Sequence, residues 1–440
     1  MTNANRRHFL QAAGSGAVAL SLPQHRTNAS INEQLSVAVI GPGGMGSSHL
    51  NELLRRDDVR VTYVCDVDRN RLDKAAQTVT KAGNPAARAV TDLRRVLDDK
   101  SVDAVFIATP DHWHGPASIL ALDAEKHVYV EKPCCHNIRE GRLMSDAVAR
   151  SGKFLQVGTQ SRSTPFVQEA MQRVLEGEIG DILVAKAWNS QRRGNIGKSA
   201  PATPPEYLNY DLWVGPAPIV PYRSNMLPSS WRWFRNFGCG DIGNDGVHDI
   251  DVALWGLGVT THPSTATCIG GKYFFDDDQE FPDTQYAVFE YDQKTTSGQG
   301  RKQLIFEQRI WTPYVQEGYE NGAAFYGTEG VLIIGHTVGW RLYGPRNKLI
   351  SEKTGRASVT AHQTNFFDCI RGTTAKTSAS INEGHRAATI VHLANIAARE
   401  RQVLQFDSES HTITNHDQST SLTGRTYRPE GHWAIPNDVT

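Results

Sequence analysis

Two side chains in this sequence stand where a proton could be moved. The first is Lys132, in HVYVEKPCCHN (127–137), where a short run of β-branched and aromatic residues ends on Glu131, Lys132 and Pro133. Proline halts the strand, restricts the residue before it and admits a cis bond, so the lysine is fixed at the strand's end. There it can act as acid or base, or hold a hydroxyl as a fixed cation. The second is His248, in GCGDIGNDGVHDIDVALWGLG (238–258), a glycine-rich loop that becomes a helix. Asn244, His248, Asp251 and Trp255 recur at i, i+4, i+7 and i+11 and share one face, with Val247, Ile250, Leu254 and Leu257 as the adjoining apolar stripe. At helical spacing Asp245 and Asp249 point away from His248, so the acidic cluster around it is not a metal set, and no metal site is expected.

A nucleotide cradle precedes both. Gly41-Pro42-Gly43-Gly44-Met45-Gly46 follows an apolar run directly and opens a helical pattern, giving G-x-G-x-x-G between strand and helix. The first glycine permits the turn, the second lets backbone approach a pyrophosphate, and the third brings helix and sheet together, with the helix N-terminus facing the phosphates. Asp66 ends the next strand, twenty residues after Gly46. A carboxylate there accepts from the ribose hydroxyls and repels a 2′-phosphate, so NAD is expected over NADP, with Arg69 the nearby counter-signal. IATPDHWH (107–114) lies at the carboxyl end of a further strand. Thr109, Pro110, Trp113 and His114 are therefore placed on the nicotinamide side, with Pro110 and Trp113 as walls; for His112 and for His114 a loop position with no role is an equal alternative.

The elements that carry these residues alternate. Apolar runs at 37–40, 59–65, 104–108, 127–130 and 154–157 are separated by helical patterns near 46–56, 69–82, 91–98, 115–124 and 138–150. Such alternation predicts a doubly wound parallel sheet over 35–160, covered on both faces. Beyond it a helix is predicted over 165–176, and strands at 184–189, 268–275, 286–291, 303–311, 323–326 and 330–334 are joined by loops. That pattern favours a mostly antiparallel sheet. Helices return at 363–371 and 383–399. Residues 161–440 thus form a second, α+β domain, with irregular loops over 190–235 and a surface tail over the last twenty residues.

Bulk composition narrows the class. A formal net charge of −1, with no long Lys/Arg patch, argues against nucleic acid or an anionic membrane as partner. The six cysteines are scattered without metal spacing and are read as reduced and packed. Asn5-Arg6-Arg7-His8-Phe9-Leu10-Gln11 is a twin-arginine pattern before a short Ala/Gly/Leu stretch that is too weakly apolar for a mature membrane span. Residues 1–30 are therefore expected to be an export signal for a folded, cofactor-loaded protein, and the mature chain to be periplasmic or otherwise extracytoplasmic.

Taken together, GPGGMG, the acidic strand end, ATP-x-x-x-H, EKP and the later G-x-H helix resemble the Gfo/Idh/MocA family of glucose–fructose and inositol oxidoreductases, over about residues 35 to 400. The resemblance implies an N-terminal Rossmann domain, a C-terminal domain with a large open sheet, sugar or polyol substrates, and dimers or tetramers formed through that sheet. It implies proton handling by Lys132 and His248, and adds Glu131 and Gln160 to the nucleotide contacts. The family's carboxylate four residues before the histidine is Asn244 here, an amide that takes up no proton, which leaves Asp245 or Asp241 as substitutes. Three readings follow. The first is an exported NAD-dependent sugar or polyol oxidoreductase with a tightly held cofactor. The second is a redox-neutral glycosidase or lyase, a branch in which the resemblance implies loss of the EKP lysine. The third is a non-catalytic NAD-binding sensor.

Overall fold

The computed structural model describes residues 34–293, 300–312 and 314–437. The twin-arginine stretch lies outside the described residues. The first unit is a parallel sheet of β1 (Leu35–Ile40), β2 (Val59–Cys65), β3 (Arg88–Val90), β4 (Ala104–Ile107), β5 (His127–Val130) and β6 (Leu155–Val157), in the order β3-β2-β1-β4-β5-β6. This is the doubly wound order that reverses between β1 and β4 and opens a crevice at the strands' carboxyl ends. β4 is apolar and buried throughout, and β1 is so from Val37 to Ile40, as a sheet covered on both faces requires. The covering helices are α1 (Gly44–Leu53), α2 (Arg69–Lys81), α3 (Arg94–Leu97), α4 (Asp111–Asp123) and α5 (Ile138–Ser151). Asp68 caps α2 and Asn137 caps α5, each accepting from backbone amides of the first turn.

Three boundaries differ from the sequence reading. β3 is short and mostly exposed, so it carries no apolar run to detect. α3 occupies only four residues of the helix predicted over 91–98. α4 begins four residues before the predicted 115, so His112, Trp113 and His114 are buried helix residues rather than loop residues.

The second unit holds α6 (Pro165–Leu175), β7 (Ile182–Asn189), α7 (Tyr210–Val214), a π-helical turn (Ile242–Gly246) that runs into α8 (Val247–Leu257), and β8 (Thr265–Gly271), β9 (Thr284–Asp292), β10 (Arg301–Arg309), β11 (Asn321–Gly327), β12 (Val331–Gly335), β13 (Gly339–Gly344) and β14 (Lys348–Thr354). The chain closes with α9 (Val359–Ile370), α10 (Ile381–Glu400), β15 (Leu404–Asp407), β16 (Thr412–Ile413) and α11 (Asp417–Ser421). Ten strands form one sheet in the order β14-β13-β12-β11-β7-β10-β9-β8-β15-β16, antiparallel except for β7 against β10. Alternate residues of β9 and β10, among them Ala287, Phe289, Leu304 and Phe306, face a core shared with α6, α8 and α10. β13 to β16 were not predicted. β14 is almost wholly exposed, and Lys-Leu-Ile-Ser-Glu-Lys-Thr offers little apolar alternation. Residues 272–275, predicted as strand, lie beyond the end of β8.

The later helices return to the first unit. Phe366 and Phe367 of α9 pack with Val39, Phe106 and Tyr129, and Ile381 and Ala388 of α10 join the core around Val130 and Met144. α10 starts on a reciprocal capping box between Ser380 and Glu383. The C-terminal segment is likewise no loose tail: Trp433 packs on the Rossmann core beside Trp113. All six cysteines are free and buried. No helix among the described residues is long and apolar enough to cross a membrane.

Candidate active site

A cleft of about 720 Å³ lies over the carboxyl edge of the parallel sheet, at the β1/β4 reversal, where the second unit roofs it. Its floor includes Gly41, Gly43, Gly44, Met45, Asp66, Thr109, Pro110, Trp113, His114, Glu131 and Lys132, and its far wall Asn244, Asp245 and His248. Of the sequence-derived candidates, Gly46 and Gln160 are outside the lining; Gln160 starts the short helix after β6.

The floor is shaped for a dinucleotide. Gly41 has φ +80°, and a Cβ there would stand 2.8 Å from the Ala108 carbonyl. A Cβ on Gly46 would stand 2.1 Å from the Gly41 oxygen, so only glycine lets α1 pack this close to β1. Gly43, the N-cap of α1, supplies no side-chain cap, which leaves the first amides of the helix facing the cleft for an anion. The buried Thr109 hydroxyl has no partner. Asp66 ends β2 half-buried, one oxygen accepting from the Asp68 amide at 2.9 Å. Desolvation pushes its carboxyl up to about 6, partly offset by that amide and by Arg71. Arg69 donates to the Glu206 carbonyl, and it is Arg71, unremarked in the sequence, that lines the cleft. These residues fit NAD. They would hold the pyrophosphate at α1 and the adenosine ribose at Asp66.

On the same floor, Lys132 precedes a cis bond to Pro133. Its Nζ donates to the backbone carbonyl of Asn244, which ties the two units together across the cleft. Glu131 is set from behind: Gln363 Nε2 donates to His49 Nδ1 at 3.0 Å, leaving His49 Nε2 to donate to the Glu131 carboxylate at 2.7 Å. Against its burial, that contact and Lys132 hold Glu131 below the ordinary carboxylate range. The His114 ring nitrogens sit 2.7 Å from the Pro133 oxygen and 2.9 Å from the Thr109 oxygen, bracing the Lys132 turn. Trp113 Nε1 and His112 Nε2 both bond the Trp213 carbonyl, so His112 is a structural residue behind the wall.

The opposite wall corrects the helical reading. The π turn over Ile242–Gly246 rotates Asp245 into the cleft beside Asn244 and His248, where regular spacing had turned it away. Asp245 is ion-paired to Arg193, which, against burial, keeps its carboxyl below the usual range. Asp241 is fully enclosed. It accepts from Asn189 and from Asn244 Nδ2, each at 2.9 Å, and from Arg193, while desolvation raises its pKa. The Asn244 amide is spent on both sides, since its Oδ1 accepts from Arg232 at 2.7 Å. It organises the wall and carries no proton.

His248 stays neutral. Burial lowers its pKa well below the ordinary value, and Lys132 and His336 add to the effect. Its Nδ1 is buried without a partner. The His336 ring packs edge-on against it at 4.8 Å and bonds Asp249 at 3.0 Å, and that carboxylate, against burial, raises the His336 pKa. Asp251, predicted on the functional face, instead makes a bidentate buried pair with Arg162 at 2.8–3.0 Å. Trp255 lies under the Arg162 guanidinium at 5.2 Å. Sequence reasoning missed Asp111, Arg193, Arg232 and His336. Asp111 sat unremarked inside ATPDHWH, Arg232 lay in the Trp-rich loops, and the other two reach the site only through the second sheet.

The order of the parallel sheet, the glycine cradle and the roofed cleft define a two-domain, nicotinamide-dinucleotide oxidoreductase fold. Comparison with known proteins gives the family. Residues 35–159 match its NAD-binding Rossmann domain, and residues 183–267 and 350–435 its C-terminal alpha/beta domain. The chain belongs to the Gfo/Idh/MocA oxidoreductase family. Among curated relatives it is 28% identical over 211 residues to glycosyl hydrolase family 109 protein 1 of Shewanella sp. strain ANA-3, covering 42% of this chain and 46% of that protein. It is 29% identical over 211 residues, with the same shares, to an alpha-N-acetylgalactosaminidase of Shewanella oneidensis. The chain thus aligns with about half the length of these relatives. In fold it matches the WlbA dehydrogenase of Bordetella pertussis, in complex with NADH and UDP-GlcNAcA (TM-score 0.63, 18% identity, covering 85% of this chain and 99% of that one). It also matches a levoglucosan dehydrogenase in complex with NADH and levoglucosan (TM-score 0.62, 19% identity, 84% and 99%).

Proposed function

We propose that the protein oxidises a CH–OH group of a sugar, polyol or sugar derivative, with NAD held in the Rossmann cleft. The observation that carries this reading is Lys132 on the cleft floor, facing neutral His248 on the opposite wall. Bound in this cleft, NAD⁺ would supply the acceptor for a hydride from the substrate carbon. The Lys132 ammonium releases the Asn244 carbonyl and holds the substrate hydroxyl oxygen. Neutral His248, on the opposite wall, takes the hydroxyl proton on its imidazole. Arg232 and Asp245 stand ready for the outer hydroxyls of a sugar ring, and Trp231 and Tyr222 supply stacking faces for its apolar side.

A second reading is favoured by the glycosyl hydrolase family 109 relatives. The same residues would serve a cycle in which oxidation at one ring carbon acidifies its neighbour, the aglycone is eliminated, water adds across the double bond left behind, and the hydride returns to the oxidised carbon; a lyase would omit the water. A panel of free sugars, polyols and aryl glycosides separates the two: net NADH with an oxidised product supports the first, and aglycone release without net NADH supports the second.

We further propose export through the twin-arginine pattern of residues 5–11, with the nucleotide bound before translocation and retained afterwards. The absence of a dependable NAD pool outside the cytoplasm supports this, because an enzyme that lost NADH at each turnover would fall idle. Self-association through the outer face of the ten-stranded sheet, where Ile269 and Tyr286 are exposed, is proposed on the same footing.

A further inference from the structure

Three histidines remote in sequence meet away from the cleft. His262 follows α8, His385 lies in the first turns of α10, and His411 sits in the turn between β15 and β16. Each offers a ring nitrogen, and these atoms all lie within 4.8 Å of one another. The ring centroids are 4.8–5.2 Å apart. Among the described residues no other such group is found, and none of the three lines the NAD cleft.

We propose that His262, His385 and His411 bind a borderline divalent cation of the zinc type. Three imidazoles suit Zn²⁺, Cu²⁺ or Ni²⁺ and disfavour Ca²⁺ and Mg²⁺. Tetrahedral zinc with nitrogens at about 2.0–2.1 Å places them about 3.3 Å apart, so rotamer adjustments that bring the atoms together by at most about 1.5 Å close the site. His385 is already oriented as a metal ligand requires. Its Nε2 donates to the Ile138 carbonyl at 3.0 Å, which leaves Nδ1 as the lone-pair donor. Gly141 makes room for that ring, because a Cβ there would stand 2.3 Å from His385 Cδ2. The Nδ1 atoms of His262 and His411 are buried without hydrogen-bond partners, the state of a ligand nitrogen awaiting a cation. A cavity lined by Arg142, Asp146, Ser410 and His411 adjoins the cluster and gives water access to a fourth position. The electrostatics are mixed: Asp146 and Asp407 act on His411 against Arg142, and Arg386 acts on His262. Bound metal would tie the loop after α8, the β15–β16 turn and α10 to the start of α5.

The test uses the full-length protein stripped with chelator and titrated with ZnCl₂ by calorimetry, with Co²⁺ absorption as a reporter of tetrahedral geometry. One equivalent is expected to bind and to raise the melting temperature. His411→Asn, chosen because asparagine tolerates the φ of 58° at this position, and His262→Gln should each weaken binding roughly tenfold or more. His248→Asn, in the cleft, should leave it unchanged. The proposal is overturned if the unmutated protein takes up no Zn²⁺ at micromolar concentrations. It is equally overturned if uptake survives in whichever of the two cluster variants folds, or disappears in His248→Asn.

Discussion

Asp66 should make NAD affinity depend on pH in a defined direction. Its carboxyl stands at about 6 before the nucleotide binds, chiefly because the end of β2 desolvates it. Only the ionised form accepts from both ribose hydroxyls, so binding NAD favours that form and protonation opposes binding. Affinity should therefore be flat above neutrality and fall as pH drops through about 6, by up to roughly tenfold per pH unit below it. Replacing Asp66 with alanine removes charge-assisted hydrogen bonds worth about 1–3 kcal/mol, which is about 5- to 150-fold in Kd. The variant should also lose the acid-side slope and narrow the gap between NAD and NADP, since the carboxylate no longer repels a 2′-phosphate. Nucleotide binding to stripped protein, followed by calorimetry from pH 5 to pH 8, reads all three. A slope below pH 6 that persists in Asp66→Ala, or NADP binding more tightly than NAD to the unmutated protein, would refute the reasoning.

Asn244→Asp sets a carboxylate against the Asp241 oxygen that Asn244 Nδ2 now serves at 2.9 Å. Despite Arg193 and Arg232 nearby, stability should fall by about 1–3 kcal/mol and recover in acid, where the new carboxyl can donate; denaturant midpoints across pH check this. Arg162→Met strands Asp251, which is wholly buried, and should cost about 3–5 kcal/mol in the same assay. Protein purified without added cofactor should carry close to one nucleotide per chain, released on denaturation and identified by mass spectrometry. Empty protein that depends on external NAD would count against a held cofactor.

The Rossmann half was legible because its signals are local. Buried central strands read as continuous apolar runs, and the glycine spacing, Asp66 and Lys132 each sit at a strand end that the pattern marks. The second unit was legible in kind but not in extent: β14 is exposed and polar, and β13, β15 and β16 are runs of two to six residues whose few buried apolar side chains make no detectable alternation. The far wall of the site was partly hidden by a departure from regular helix. With the turn over 242–246 read as ordinary α-helix, Asp245 was turned from the cleft and Asp251 into it, and both assignments reversed. Arg193 and His336 reach the site from the segments just past the ends of β7 and β12, which sheet pairing brings there and no sequence spacing encodes. The histidine trio escaped for the same reason: its members gather only when β15, with β16 paired to it, docks on β8.

The central claim is that Lys132 and His248 handle the substrate proton while the rest of the cleft holds the nucleotide. Single-turnover reduction of bound NAD by an active sugar, in Lys132→Met and His248→Asn beside the unmutated protein, tests it most directly. NAD binding should persist in both variants, and the rate should fall roughly 10²- to 10⁴-fold, the usual contribution of a positioned acid–base group. Near-normal rates in either variant would contradict the account.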